Sequence, residues 1–116
     1  MPKRRKLIKE ERQRIYEKTN GRCAYCGCEI KPQEMVVDHK KAHIHGGTCD
    51  ESNLFPACRP CNHRKGTSSL SSFRKQLGMS ADVLMRDSVT FRNAVRYGLV
   101  KLNPHEIKFY FEEKSL

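Results

Sequence analysis

The sequence lacks long apolar segments, and its acidic side chains are far fewer than its basic ones. No apolar run approaches the roughly 18 residues that a membrane span requires, so the sequence predicts no contact with a membrane. The basic N-terminal residues are not followed by the apolar core of a signal peptide, which favours a cytoplasmic protein. The sequence shows no internal repeat and no low-complexity segment, and 116 residues are the length of one domain.

The charge balance is strongly basic. Lys and Arg number 23 against 13 for Asp and Glu, which gives a formal net charge of +10 at neutral pH. A surplus of this size favours an acidic partner, and nucleic acid is the commonest such partner.

Cysteine is abundant for a short chain, with six Cys beside five His. Without an export signal, such a set is typical of metal binding rather than of disulfides. Four of the cysteines form two C-x-x-C pairs, which are Cys23/Cys26 and Cys58/Cys61. Four thiolates in a tetrahedron suit a closed structural Zn²⁺ site, whereas the alternative is four buried free thiols.

Two further cysteines and two histidines are expected to have no metal role. Cys28 and Cys49 are interpreted as spare thiols, because two C-x-x-C pairs already complete a four-sulfur site. The alternative for Cys28, which lies two residues past Cys26, is that it competes as a ligand. His43 and His45 flank a Gly-Gly loop, and we expect them to face phosphate or solvent.

Residues 36–66 carry a second set of metal-binding groups. A short β-branched strand would deliver Asp38 and His39 at its end, and Asn53 follows in a loop. A helix beginning near Arg59–Pro60 would then carry Asn62 and His63. A carboxylate with a neutral N or O donor leaves most of a divalent ion's shell to water and phosphate, as Mg²⁺ prefers.

This pattern resembles the HNH endonuclease family, which has a ββα-metal finger, and small phage and bacterial members in particular. The residues that carry the resemblance are Asp38-His39, Gly46-Gly47, Asn53-Leu54, Cys58-x-x-Cys61, Asn62 and Lys65. The resemblance implies an α+β fold: a ββα-metal finger with a structural zinc knuckle of four cysteines, flanked by an N-terminal helix, C-terminal helices and a short strand.

The resemblance also implies roles for single residues. His39 would be the general base, and Asn53 would hold its ring in place. Asp38 would ligate a catalytic Mg²⁺ or Mn²⁺, with other divalent ions left open. Asn62 is preferred over His63 as the other ligand, because the family's ligand directly follows the second C-x-x-C pair. Successive helical side chains point about 100° apart, so both residues cannot easily face one ion.

Basic residues surround these positions in the sequence. They are expected to contact phosphates of double-stranded DNA without reading its sequence, the alternative being a solvated charged face. They are Lys40, Lys41, Arg59, Arg64 and Lys65.

The chain is divided into three segments by these patterns. Residues 1–6 would form a basic arm, residues 7–66 the nuclease core, and residues 67–116 a helical extension packed on that core, within a single domain overall. In the extension, one helix is predicted from Ser80 through about Tyr97, and a strand over residues 107–111.

The function implied is hydrolysis of DNA phosphodiester bonds by an HNH endonuclease, leaving 5′-phosphate and 3′-hydroxyl ends. Nicking and double-strand cleavage both stay open, as does a homodimer or a phage protein partner. The alternatives are a non-catalytic zinc-containing module that binds nucleic acid, and an accessory component of a phage packaging or recombination complex.

Overall fold

The structure is a computed structural model that describes residues 6–114. The predicted basic arm therefore lies outside the described residues, except for Lys6. The helices and strands are, in chain order, α1 (Lys9–Glu17), β1 (Val36–His39), β2 (Leu54–Ala57), α2 (Arg59–Lys65), α3 (Leu70–Gly78), α4 (Ser80–Asp87), α5 (Val89–Arg96) and α6 (Tyr110–Glu113).

The centre of the fold is a two-stranded sheet followed by a helix. β1 and β2 pair antiparallel, with Val36 opposite Ala57 and His39 opposite Leu54. Helix α2 begins directly after Cys58 and carries Pro60 in its first turn, where the missing amide hydrogen costs no hydrogen bond. The predicted α+β class and its ββα finger are confirmed.

Helix α1 covers one side of the finger. Its buried Ile15 packs with Met35 and Leu54. Lys18 at its end donates from Nζ to the Leu54 carbonyl oxygen at 2.8 Å, which ties the helix to β2. A small apolar core and one partly buried amine therefore hold α1 beside the two strands.

The chain divides into two compact units. The first comprises residues up to Leu70 and those from Lys108 onward, and the second comprises Ser71–Ile107. The second unit contains most of α3 with α4 and α5, and Arg92 joins the last two by donating to the Met85 and Arg86 carbonyl oxygens at 2.8 and 2.9 Å. The predicted boundary at residue 66, and the packing of residues 67–116 on the core, stay predictions.

Two predicted elements of the C-terminal half differ from the structure. The helix expected from Ser80 is interrupted at Ser88, whose hydroxyl oxygen accepts from the Phe91 backbone N–H at 3.1 Å and so begins a new helix. The expected strand at 107–111 does not form in the described chain. The Glu112 side chain instead accepts from the Phe109 N–H at 2.9 Å, which favours a short helix there.

Candidate active site and metal centre

The two cysteine pairs come together beside the start of α2. The sulfur atoms of Cys23, Cys26, Cys58 and Cys61 all lie within 4.8 Å of one another. The Cys26 and Cys58 sulfurs are 3.8 Å apart. Four sulfurs at about 2.3 Å from one central ion, at tetrahedral angles, would be about 3.8 Å apart. The predicted pairing of the thiols is therefore present, and the cluster could hold a metal such as zinc.

Each pair is positioned by a different backbone feature. The first lies on a tight turn, in which the Cys23 N–H donates to the Cys28 carbonyl oxygen at 2.8 Å and Gly27 adopts a φ of 80°. The second lies at the junction of β2 and α2, where the Asn62 N–H donates to the Cys58 carbonyl oxygen at 3.0 Å. The turn of the first pair therefore requires a residue at position 27 that tolerates a positive φ. The second pair is positioned by the first turn of α2.

The thiols of the cluster differ in acidity. A hydrogen bond from Cys61 lowers the pKa of Cys23, and the same contact raises the pKa of Cys61. Desolvation raises the pKa of Cys58. Cys28 lies outside the four, and desolvation with its contact to Cys26 raises the pKa of that thiol to about 12. One sulfur thus carries negative charge readily, and a bound cation would favour ionisation of its partners.

Asp38 is the centre of a buried hydrogen-bonded group. Its Oδ2 accepts from the Tyr25 hydroxyl and lies 3.2 Å from Lys65 Nζ. Its Oδ1 accepts from Asn62 Nδ2 at 3.2 Å. Burial and the neighbouring Asp38 carboxylate raise the pKa of Tyr25, so the hydroxyl stays a donor. The structure thus brings Asp38 and Asn62 together, whereas His63 is exposed.

Lys65 is not where the sequence analysis placed it. The sequence predicts a phosphate-facing side chain, but Lys65 is only 1% exposed and donates to the His39 carbonyl oxygen at 3.0 Å. The physical reason is the buried Asp38 carboxylate, because a charge removed from water requires a partner. The Lys65 amine therefore joins α2 to β1 at Asp38 and His39.

We predict that Lys65→Met destabilises the fold by about 3–5 kcal/mol, because it leaves the Asp38 carboxylate buried without its cation. Arg64→Ala is the matched control, since Arg64 is exposed at the preceding position, and it should change stability by no more than about 0.5 kcal/mol. Urea unfolding of both variants measures the difference. Equal midpoints would show that the buried pair does not stabilise the fold.

His39 ends β1 and is 8% exposed. Its Nδ1 atom is buried, and its Nε2 atom lies 3.6 Å from the Cys49 sulfur. A cavity of about 310 Å³ adjoins this ring. It is lined by Lys6, Leu7, Arg12, Val37, His39, Cys49 and Leu54. The cavity provides space for a small molecule beside the imidazole.

Asn53 fixes the backbone that follows His39. Its Oδ1 accepts from the Lys41 N–H at 2.9 Å, and its Nδ2 donates to the carbonyl oxygens of Lys41 and Thr48 at 2.9 and 2.8 Å. Its own carbonyl oxygen accepts from the Lys40 N–H at 2.8 Å. These bonds close the loop between the strands, so Asn53 orders the surroundings of the histidine.

The sequence analysis expected no metal role for His43 and Cys49, but the structure places both beside His39. The Cys49 sulfur lies 3.0 Å from His43 Nε2 and 3.6 Å from His39 Nε2. The His39 and His43 rings are edge to face with centroids 4.7 Å apart. The sequence signal was three histidines and one cysteine within the eleven residues 39–49. The sequence does not show which of them meet until the loop is closed.

The remaining basic residues lie at the surface. Lys41, Arg59 and Arg64 are exposed, and the half-buried Lys40 has its Nζ 5.4 Å from the centre of the Phe55 ring. None of the helices in residues 6–114 has the length and apolar composition of a membrane-crossing segment.

Comparison with known proteins shows a family similarity in the segment that carries this site. Residues 23–68, which contain all four clustered cysteines and the Asp38–Asn62 pair, match the family model described as HNH endonuclease. This segment is similar to HNH endonuclease domains. The resemblance derived from the motif is thereby confirmed for the residues that carry it.

Two curated relatives match part of this chain. The chain is 37% identical over 54 residues to YoqL, an SPbeta prophage-derived protein of Bacillus subtilis (strain 168) whose name describes it as a putative HNH endonuclease. It is 33% identical over 57 residues to the Septu protein PtuB of Bacillus thuringiensis. The matches cover 40% and 46% of this chain, but only 24% and 22% of the relatives. The chain therefore spans about a quarter of their length.

Proposed function

We propose that the HNH segment hydrolyses DNA phosphodiester bonds with the help of a divalent metal ion. The observation that carries this proposal is the meeting of β1 and α2, where Asp38 contacts Asn62 and the adjacent His39 lines a cavity. Consecutive strand residues point to opposite faces, so a base and a metal ligand can act on one phosphate from different sides.

His39 is proposed as the general base. Its Nε2 would take a proton from a water molecule as the water oxygen bonds to phosphorus and the 3′ oxygen of the sugar leaves. A neutral imidazole can accept that proton near neutral pH. Asn53 would act by positioning, because its side chain holds the backbone directly after His39.

Asp38 and Asn62 are proposed to hold the catalytic Mg²⁺ or Mn²⁺. The residues fit such an ion: Tyr25 and Lys65 orient Asp38 through Oδ2, whereas Oδ1 is directed at the Asn62 amide. A rotation of the Asn62 amide about its Cβ–Cγ bond would turn Oδ1 in place of Nδ2 toward the ion, which would give it a second oxygen ligand. When bound, a divalent ion would stabilise charge on the phosphate and on the leaving oxygen.

The four-cysteine cluster is proposed to hold a structural zinc ion. Four thiolates are a complete tetrahedral set for Zn²⁺, and the 3.8 Å spacing between the Cys26 and Cys58 sulfurs suits it. Such a site has no open position, so we assign it no part in the chemical step.

DNA is the proposed substrate because the net charge is +10 and exposed cations flank the finger. Lys41, Arg59 and Arg64 would contact phosphates, and Lys40, whose Nζ lies over the Phe55 ring, would add its charge. Lys65 is buried and would not contact phosphate. It would orient the Asp38 carboxylate through their ion pair instead. Binding of this kind weakens as salt rises.

Incubation of the zinc-loaded chain with supercoiled plasmid tests the proposal. We expect open-circular or linear DNA with Mg²⁺ or Mn²⁺, and no conversion when the added ion is omitted and trace metal is chelated weakly. Intact supercoil with every ion, combined with retained DNA binding in a filter or mobility assay, would instead identify a binding module. Cleavage that needs a second protein would identify an accessory component.

A further inference from the structure

We propose that His39, His43 and Cys49 form a second binding site for a borderline-soft divalent ion, with Zn²⁺ as the best fit, and that zinc bound there inhibits the nuclease. The binding part stands on geometry alone. The inhibitory part rests on the proposed function, because it requires His39 to be the general base.

The three ligand atoms are already close together. One ligand atom from each of His39, His43 and Cys49 lies within 4.8 Å of the other two. In a tetrahedral zinc site, with bonds of about 2.0–2.1 Å to nitrogen and about 2.3 Å to sulfur, a nitrogen and a sulfur are about 3.6 Å apart. The separation of His39 Nε2 from Cys49 Sγ is 3.6 Å, and that of His43 Nε2 is 3.0 Å. Binding of an ion thus requires His43 Nε2 and Cys49 Sγ to move apart by a fraction of an ångström.

The loop that carries these ligands is held in a defined shape. Gly47 approaches the Lys41 carbonyl so closely that a Cβ atom there would lie 1.7 Å from its oxygen. The Gly47 N–H donates to the Ala42 carbonyl oxygen at 2.9 Å, and Asn53 holds the Thr48 carbonyl oxygen. Cys49, next in the chain, is therefore returned to the side of His39 before any ion binds, which lowers the entropic cost of binding.

The donor set selects the ion. Two imidazole nitrogens and one thiolate sulfur suit Zn²⁺, whereas Mg²⁺ prefers oxygen ligands. Three protein ligands leave a fourth position for water or another small ligand. This site would therefore bind Zn²⁺ in preference to Mg²⁺.

Zinc binding and base catalysis compete for one electron pair. The Nε2 lone pair of His39 can bind a zinc ion or accept a proton from water, but it cannot do both. His39 Nδ1 is buried and offers no substitute. Zinc at this site would thus slow cleavage by about 100-fold or more, which is the usual contribution of a general base.

Zinc stoichiometry tests the site without reference to activity. The full chain is dialysed against low-micromolar zinc, and bound zinc is measured by elemental analysis. We expect two ions per chain in the wild type and one in Cys49→Ser and His43→Ala. Cys28→Ser and His45→Ala are the matched controls, since both residues are exposed and neither is one of the three proposed ligands. Both variants should keep two ions. Retention of the first ion reports that the knuckle is still folded.

A titration of zinc into plasmid cleavage reactions with Mg²⁺ tests the inhibition. Each variant is compared with its own rate at the lowest zinc concentration, so changes in basal rate do not matter. We expect wild type, Cys28→Ser and His45→Ala to be inhibited about 100-fold, and Cys49→Ser and His43→Ala to resist.

The outcomes separate the two parts of the proposal. An unchanged stoichiometry in both Cys49→Ser and His43→Ala would refute the site, whether or not the chain cleaves DNA. A second ion that binds without slowing a cleaving wild type would refute the inhibition. A chain that binds two ions and cleaves nothing would refute the proposed function and, with it, the inhibition, while supporting the binding site.

Discussion

The His39→Ala variant should lose plasmid cleavage while retaining its fold and its affinity for DNA. The removed imidazole is the only proposed base, and general bases contribute about 10²- to 10⁴-fold to rate. The exposed cations that would hold phosphate, such as Arg59 and Arg64, are untouched. Single-turnover cleavage with Mg²⁺ or Mn²⁺ measures the loss, and a mobility-shift assay at fixed salt measures binding.

His45→Ala is the matched control for this experiment, because His45 is exposed in the same loop. It should cleave at a rate close to that of the wild type. Retention of zinc in the four-cysteine cluster of both variants would show that the knuckle is intact. Wild-type turnover by His39→Ala would remove the histidine from the mechanism, and equal losses in the two variants would point to damage of the loop.

Removal of metal from the four-cysteine cluster should unfold residues 23–61. Structural zinc contributes about 10 kcal/mol or more in small zinc-binding domains, which is comparable with the whole stability of a typical protein. The apolar core beside it is small, with Ile15, Met35 and Leu54 at its centre. A core of this size cannot offset such a loss. Thermal melting with and without a strong chelator, together with amide exchange across 23–61, measures the effect.

A chelator also strips the proposed second site, so a variant must separate the two. Cys58→Ser removes one ligand of the cluster alone and should reproduce the effect of the chelator. Cys28→Ser removes a thiol outside the four and should melt like the wild type. A chelated wild type with an unchanged melting curve would show that the fold does not depend on the metal.

The sequence carried enough information to predict the finger. Two C-x-x-C pairs, a β-branched run ending at Asp38 and His39, and a proline near the start of α2 are local signals, and each has one strongly preferred structure. The convergence of the cysteine pairs and of Asp38 with Asn62 followed from the motif. The structure supplied the distances within these two groups, and it added Tyr25 and Lys65 to the surroundings of Asp38.

The features that sequence could not predict depend on contacts between distant residues. Lysines are usually exposed, so the burial of Lys65 is visible only once Asp38 is known to be inside. Cys49 contacts His43 because the Asn53 side chain closes the loop. The hydrophobic pattern of the sequence does not predict that closure. The helix at Tyr110 replaced an apolar strand pattern because Glu112 could bond to the Phe109 N–H.

The last described segment of the chain completes the finger. The Phe111 ring lies 4.7 Å from the Phe55 ring, measured between centroids, and the Phe109 ring lies 5.3 Å from that of Tyr25. The Phe111 N–H also donates to the Ala24 carbonyl oxygen at 2.8 Å. During synthesis, domains form as the chain emerges from its N-terminus. A nascent finger would therefore leave the rings of Tyr25 and Phe55 without these partners until the segment around position 111 has been synthesised.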